Sequence, residues 1–161
     1  MASTYSSNLK LQLMGTGDNA GTWGTVTNVN LGTALEESIA GTVDVAFSSG
    51  DVTLSLTDDN TAQAARNMRL NLTGTSGGAR NLIVPAIEKM YVINNGLADA
   101  CTVKVSGQTG VSVPAGKTTL LFNNGTDVVN AINTLVGLTT TADINFGDND
   151  KAIFGAGSDL Q

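Results

Sequence analysis

The sequence predicts a mainly β fold, a sandwich or barrel-like module of short antiparallel strands with one short helix, on three observations. Gly, Thr and Asn together supply 56 of the 161 residues, a mixture of strand-favouring and turn-favouring types. From residue 42 onward, apolar and polar residues alternate in segment after segment. Turn signals such as SSGD, GTSGG, NNG and GQTG separate those segments, at spacings of about 8–12 residues that suit a sandwich or barrel. The length fits one domain with a short extension, and such a chain removes roughly 70% of its unfolded surface from water on folding.

Leu9, Leu11 and Leu13 alternate with Lys10 and Gln12, the pattern of a half-buried strand. A Gly-rich stretch from Gly15 to Gly24 follows and holds the only tryptophan, Trp23. The helix is predicted at about residues 31–40. Thr33 and Glu36 have capping-box spacing, and Leu31, Leu35 and Ile39 recur every four residues as one apolar stripe. Gly41 is placed to end the helix in a left-handed conformation. So short a helix is marginal alone, and its stripe must pack on something.

Val43, Val45 and Phe47, then SSGD, then Val52, Leu54 and Leu56 predict a hairpin. Met68, Leu70 and Leu72 predict the next strand, and Leu82 to Val84 another that Pro85 terminates. Met90 to Ile93 follows, and then Cys101, Val103 and Val105 pair through GQTG with Val111 and Val113. Thr119 to Phe122 and Val128 to Ile132 form a last hairpin across NNGTD. Residues 1–135 make the β module. Residues 136–161 open with a Thr-rich linker and continue as an acidic, Gly-rich tail. The tail has too little apolar material to offset its own ordering entropy, so it is either disordered or ordered by neighbouring chains.

Composition closes off much chemistry. A net charge of −6 with only eight Lys and Arg argues against a nucleic-acid partner, which needs clustered cations. No run approaches the roughly 18 consecutive apolar residues of a membrane span, so no membrane insertion is expected. MASTYSSN lacks the charged and apolar regions of a signal peptide. There is no histidine, which removes the commonest general base and metal ligand together. Cys101, the single cysteine, reads as a small buried hydrophobe rather than a reactive thiol.

Each suggestive motif has a plainer reading. GVSVPAGKTT (110–119) ends like a phosphate loop, but its spacing is wrong and a strand pattern follows where a helix is required. GTGDNAG (15–21) lacks the second half of a nucleotide site. Asp143, Asp148, Asn149 and Asp150 lack the calcium-loop spacing. Asp58 and Asp59 read as a turn. No catalytic residue, cofactor or metal is therefore expected. Trp23 stands apart as either a core plug or an interface anchor.

Three ordered blocks carry a resemblance. STYSSNLKLQLMGTGDNAGTWGTVTNVNLGTALEESIAG (3–41) is similar to the opening segment of tail fibre proteins of short-tailed bacteriophages, those of marine bacteria especially. VKVSGQTGVSVPAGKTTLLFNNGTDVVNAIN (103–133) resembles the close of the same module, and NFGDNDKAIFGAGSDLQ (145–161) resembles the start of the shaft. The resemblance implies a structural, non-enzymatic virion protein: a homotrimer whose N-terminal region docks on tail proteins (adaptor or nozzle). Host-surface contact is then left to distal regions beyond this sequence. The docking surface is expected at Trp23 and the 15–31 loop, with Thr22, Gly24, Asn30, Leu31, Leu35 and Ile39 as further candidate residues. The alternatives are another virion structural role, such as capsid decoration or a tail accessory, and a carbohydrate-binding module. The last is disfavoured by two Tyr and one Trp in the whole chain.

Overall fold

The computed structural model describes residues 1–134. The tail predicted at 136–161 and the acidic group at 143–150 lie outside the described residues. The described chain is mainly β, with one 17-residue helix and three sheets of mixed parallel and antiparallel strands that do not close into a barrel.

The strands are β1 (Thr4–Tyr5), β2 (Gln12–Leu13), β3 (Thr42–Ser48), β4 (Val52–Thr53), β5 (Arg69–Thr75) and β6 (Arg80–Val84). They continue with β7 (Glu88–Asn95), β8 (Cys101–Val105), β9 (Val111–Val113), β10 (Thr118–Asn124) and β11 (Val128–Asn130). One sheet has the order β11-β10-β7-β5-β3, the other β4-β6-β8-β9, and β1 and β2 pair by themselves.

From β3 to β8 the chain alternates between the two larger sheets. It therefore returns to each sheet running the same way, and β3-β5-β7 and β4-β6-β8 are parallel. The result is a stack of two-strand coils. In the first sheet Thr42 lies beside Arg69 and Arg69 beside Val92, steps of 27 and 23 residues. The all-antiparallel expectation is corrected here. Val43–Phe47 and Val52–Leu56 do not form a hairpin, because β3 and β4 belong to different sheets. Alternation fixes which face of a strand is buried but not which neighbour it pairs with. The last strands are antiparallel as expected: β8 with β9, β7 with β10, and β10 with β11.

Inward residues of both sheets meet in one core. Leu70, Leu72, Tyr91, Ile93 and Leu121 come from one side and Leu82, Val103 and Val113 from the other, all 0% exposed. Cys101 is in this core, as expected, and burial pushes its thiol up to about 11. Two buried asparagines close the turns. Asn95 donates to the carbonyls of Asp99 (3.0 Å) and Val113 (2.9 Å) and accepts from the Leu97 amide. Asn123 donates to Pro85 and accepts from Gly125.

Other corrections concern the N-terminal region. Leu9–Leu13 is not one strand: only Gln12–Leu13 is extended, and Lys10 turns with φ 56°. The helix begins well before residue 31, running from Trp23 to Ile39. It is α-helical over Trp23–Val29, widened to a π turn over Asn30–Leu35, and α-helical again over Glu36–Ile39. Thr33 therefore sits inside the helix rather than capping it, and the residue before the helix is Thr22. Gly41 follows the helix but is not left-handed. A Cβ there would lie 2.4 Å from Asn67 Oδ1 and 2.5 Å from the Glu37 Cα, so close packing requires the glycine.

Candidate docking surface

The helix lies on the N-terminal side of the sandwich, fixed there mainly by polar contacts. Arg66, in a 3₁₀ turn (Ala64–Arg66), is fully buried and reaches three separate pieces of chain. Its Nη1 donates to the Leu9 carbonyl at 3.1 Å, its Nη2 donates to the Thr61 carbonyl, and its Nε lies 3.0 Å from Glu37 Oε2. The Nε–H does not point along a hydrogen-bonding line to that carboxylate, so this contact is charge pairing. Glu37 also accepts the Gln63 amide (3.2 Å to Oε1), and its carbonyl accepts the Met68 amide at 2.9 Å. The next residue, Arg69, begins β5, so this contact ties the helix to the head of a core strand. Beneath it Tyr91 donates its hydroxyl to the Ala65 carbonyl at 2.8 Å inside the core.

These contacts sort the predicted docking residues into two groups. Asn30 is structural: its Oδ1 accepts the Gln12 amide at 2.9 Å and its Nδ2 donates to the Gln12 carbonyl at 2.8 Å. It also accepts from Asn60 Nδ2 at 3.0 Å. A side-chain amide thus completes the backbone bonding of β2. Leu35 is half-buried, and Ala34 beside it is fully buried. Trp23, Leu31 and Ile39 point away from the molecule, 65%, 57% and 64% exposed. The core-plug reading of Trp23 is corrected: the indole lies at the helix start, with no core residue there to receive it. Thr22 is exposed, and its hydroxyl donates only to the nearby Asn19 carbonyl (3.3 Å). Gly24 has open space where a Cβ would stand, so sterics do not demand glycine.

Trp23, Leu31 and Ile39 belong to one i, i+4 row with Thr27 and Leu35. In an ordinary helix such a row drifts around the axis by a fraction of a turn at each step. The wider turn at Asn30–Leu35 reduces that drift over its own length, and along the row Trp23, Leu31 and Ile39 are exposed while Thr27 and Leu35 between them are half-buried. The surface is thus an apolar strip on a helix whose position is set elsewhere.

Sequence reasoning missed several exposed apolar residues. Leu13 and Met14 are exposed near β2, and Met90, Phe122, Val129 and Ile132 are exposed on the sandwich. A signal existed for the second set. Met90-Tyr91-Val92-Ile93 and Leu120-Leu121-Phe122 are continuous apolar runs, which mark strands with apolar residues on both faces. Arg66 had no sequence signal, because its partners Leu9, Glu37 and Thr61 are scattered along the chain.

Among the described residues, no three His, Cys, Asp or Glu side chains gather as a metal site. Lys89 faces inward, its Nζ 5.0 Å from the Tyr91 ring centroid, and burial pulls its pKa down to about 8. No family model matches the sequence, and no curated protein or solved structure matches it either.

Proposed function

We propose that this chain is a structural assembly module: the N-terminal part of a trimeric phage tail fibre, which docks the fibre onto tail proteins without catalysing a reaction. The observation that carries the reading is the outward row Trp23, Leu31 and Ile39 on a helix clamped by buried Arg66. Large apolar side chains held out on a rigid element are what a binding face requires, since little ordering entropy remains to be lost on contact. The sequence resemblance over residues 3–41, 103–133 and 145–161 supplies the kind of assembly.

Solution mass tests the trimer. Light scattering coupled to size exclusion is expected to give roughly three times the 16.4 kDa chain mass. Antibody labelling of virions is expected to mark the tail. Label at capsid symmetry axes would instead make the chain a decoration protein.

A further inference from the structure

The outer face of the five-stranded sheet is divided in two. Over β3 and β5 it is polar, and a hydrogen-bonded ladder runs along it and onto the next two strands. Thr118 donates to Asn94 (2.8 Å), Asn94 to Asn71 (2.5 Å) and Asn71 to Asp44 (2.7 Å). Over β7, β10 and β11 the character changes. Met90 stands opposite Phe122, and Phe122 opposite Val129, in one cross-strand row. These side chains are 42%, 37% and 38% exposed, and Ile132, just past β11, is 59% exposed. Val92 and Leu120 pair in the adjoining row and are half-buried.

We infer that this apolar strip is the contact between copies of the chain, and that the helix row is left free for the tail protein. The inference rests on the fibre reading and deepens it. First, a solvated outer face of a sandwich alternates apolar-in and polar-out, whereas β7 and β10 carry apolar residues on both faces, as strands covered on both sides do. Second, the row Met90, Phe122 and Val129 carries no charge; Glu88 on β7 and Arg69, the β5 neighbour of Val92, stand at its rims. Copies with a net charge of −6 can meet there without burying carboxylates, and interface centres are depleted in charge. Third, the chain leaves the sandwich beside the strip. It passes Val129 and Ile132, and residues 135–161 follow. The fibre reading sets the end of β11 toward the common axis of three copies, and with it the surface beside Val129. The helix row belongs to the other end of the chain and carries no such constraint.

The test uses the full 161-residue chain. Light scattering is measured for the wild type, Phe122→Asp, Val129→Asp and Leu31→Asp, with thermal melting to confirm that each variant folds. The wild type and Leu31→Asp are expected to be trimers, while Phe122→Asp and Val129→Asp fall to about one third of that mass. Ile132→Cys supplies a second measurement. Near a threefold axis it is expected to form a disulfide-linked dimer on mild oxidation; Ile39→Cys is expected not to, and native Cys101 is buried. A trimer that survives both Asp variants on the sheet but is lost in Leu31→Asp overturns the inference and leaves the fibre reading standing. A wild type that is monomeric at every concentration overturns the inference and also removes the support that trimerisation lends to the fibre.

Discussion

The sandwich and the N-terminal region solve the problem of staying folded in different ways. From β3 to β11 the chain buries a continuous apolar core, with Leu70, Leu72, Leu82, Ile93, Val103 and Leu121 fully enclosed. In residues 1–41 the one buried hydrophobic side chain is Ala34. That region is held by polar contacts: Ser3 with Asp18, Asn30 with Gln12, and Arg66 with Leu9 and Glu37. Ser3 lowers the pKa of the exposed Asp18 carboxylate through its hydroxyl and amide. Six large apolar side chains of the N-terminal region are exposed, and Tyr5, Leu9, Leu11, Val26, Val29 and Leu35 are half-buried. A core made of Leu and Val stabilises its own chain. A region held by polar bonds can keep Trp23, Leu31 and Ile39 for a partner.

The sharpest way to break this contrast is Arg66→Ala. Removing one partner of a buried charge pair costs about 3–5 kcal/mol, and the helix is expected to come loose before the sandwich melts. Chemical denaturation should then show an early phase, and proteolysis should cut within residues 1–41 first; a single unchanged transition would count against the clamp. Leu72→Ala attacks the sandwich instead, at an expected cost of about 2–5 kcal/mol, read as a lower midpoint of one cooperative transition.

Lys89 sharpens the picture of the core. Its folded pKa, about 8, lies below the ordinary 10.5 because burial disfavours the ammonium. Between those values the unfolded chain binds more protons, so the penalty this group places on folding fades as pH rises from 8 towards 10.5. Its burial cost is fully present below pH 8. Lys89→Met is therefore expected to be more stable than the wild type at pH 7, by about 1–3 kcal/mol. The advantage should shrink as pH rises through that window, and taking the difference between the two proteins cancels the opposing titrations of Cys101 and Tyr91.

Asn94→Ala cuts the outer ladder between Thr118 and Asn71. An exposed cross-strand pair contributes roughly 0.2–1 kcal/mol, so a small drop in melting temperature is expected with no change in solution mass. Leu31→Ser should alter chain stability least, within about 0.5 kcal/mol, while weakening binding to isolated tail proteins. A large loss of stability would show that Leu31 serves the fold.

Much of the sandwich was legible in the sequence. Inward positions such as Val45, Leu70, Leu72, Val103 and Val113 follow from alternation, Pro85 ends β6, and NNGTD turns β10 into β11. These features are local, set within a few residues by side-chain period and turn chemistry. The helix was half legible. Leu31, Leu35 and Ile39 do lie on a helix, but the expectation that their stripe packs is corrected, since Leu31 and Ile39 are exposed and Leu35 is half-buried. The helix start at Trp23 was hidden by Gly and β-branched residues that propensity ranks low.

By itself the sequence determined the β character, the positions of most strands and turns, the burial of Cys101 and the absence of histidine chemistry. Tertiary structure decided that β3 and β4 separate into different sheets and that parallel strands stack into coils. It also decided that Arg66 gathers Leu9, Glu37 and Thr61, and that Trp23 faces solvent. The physical reason is the range of the interactions. Alternation and turns act between neighbours in the chain. Strand partnership, charge pairing and the outward side of a helix depend on residues tens of positions away, which come together only when the whole domain folds.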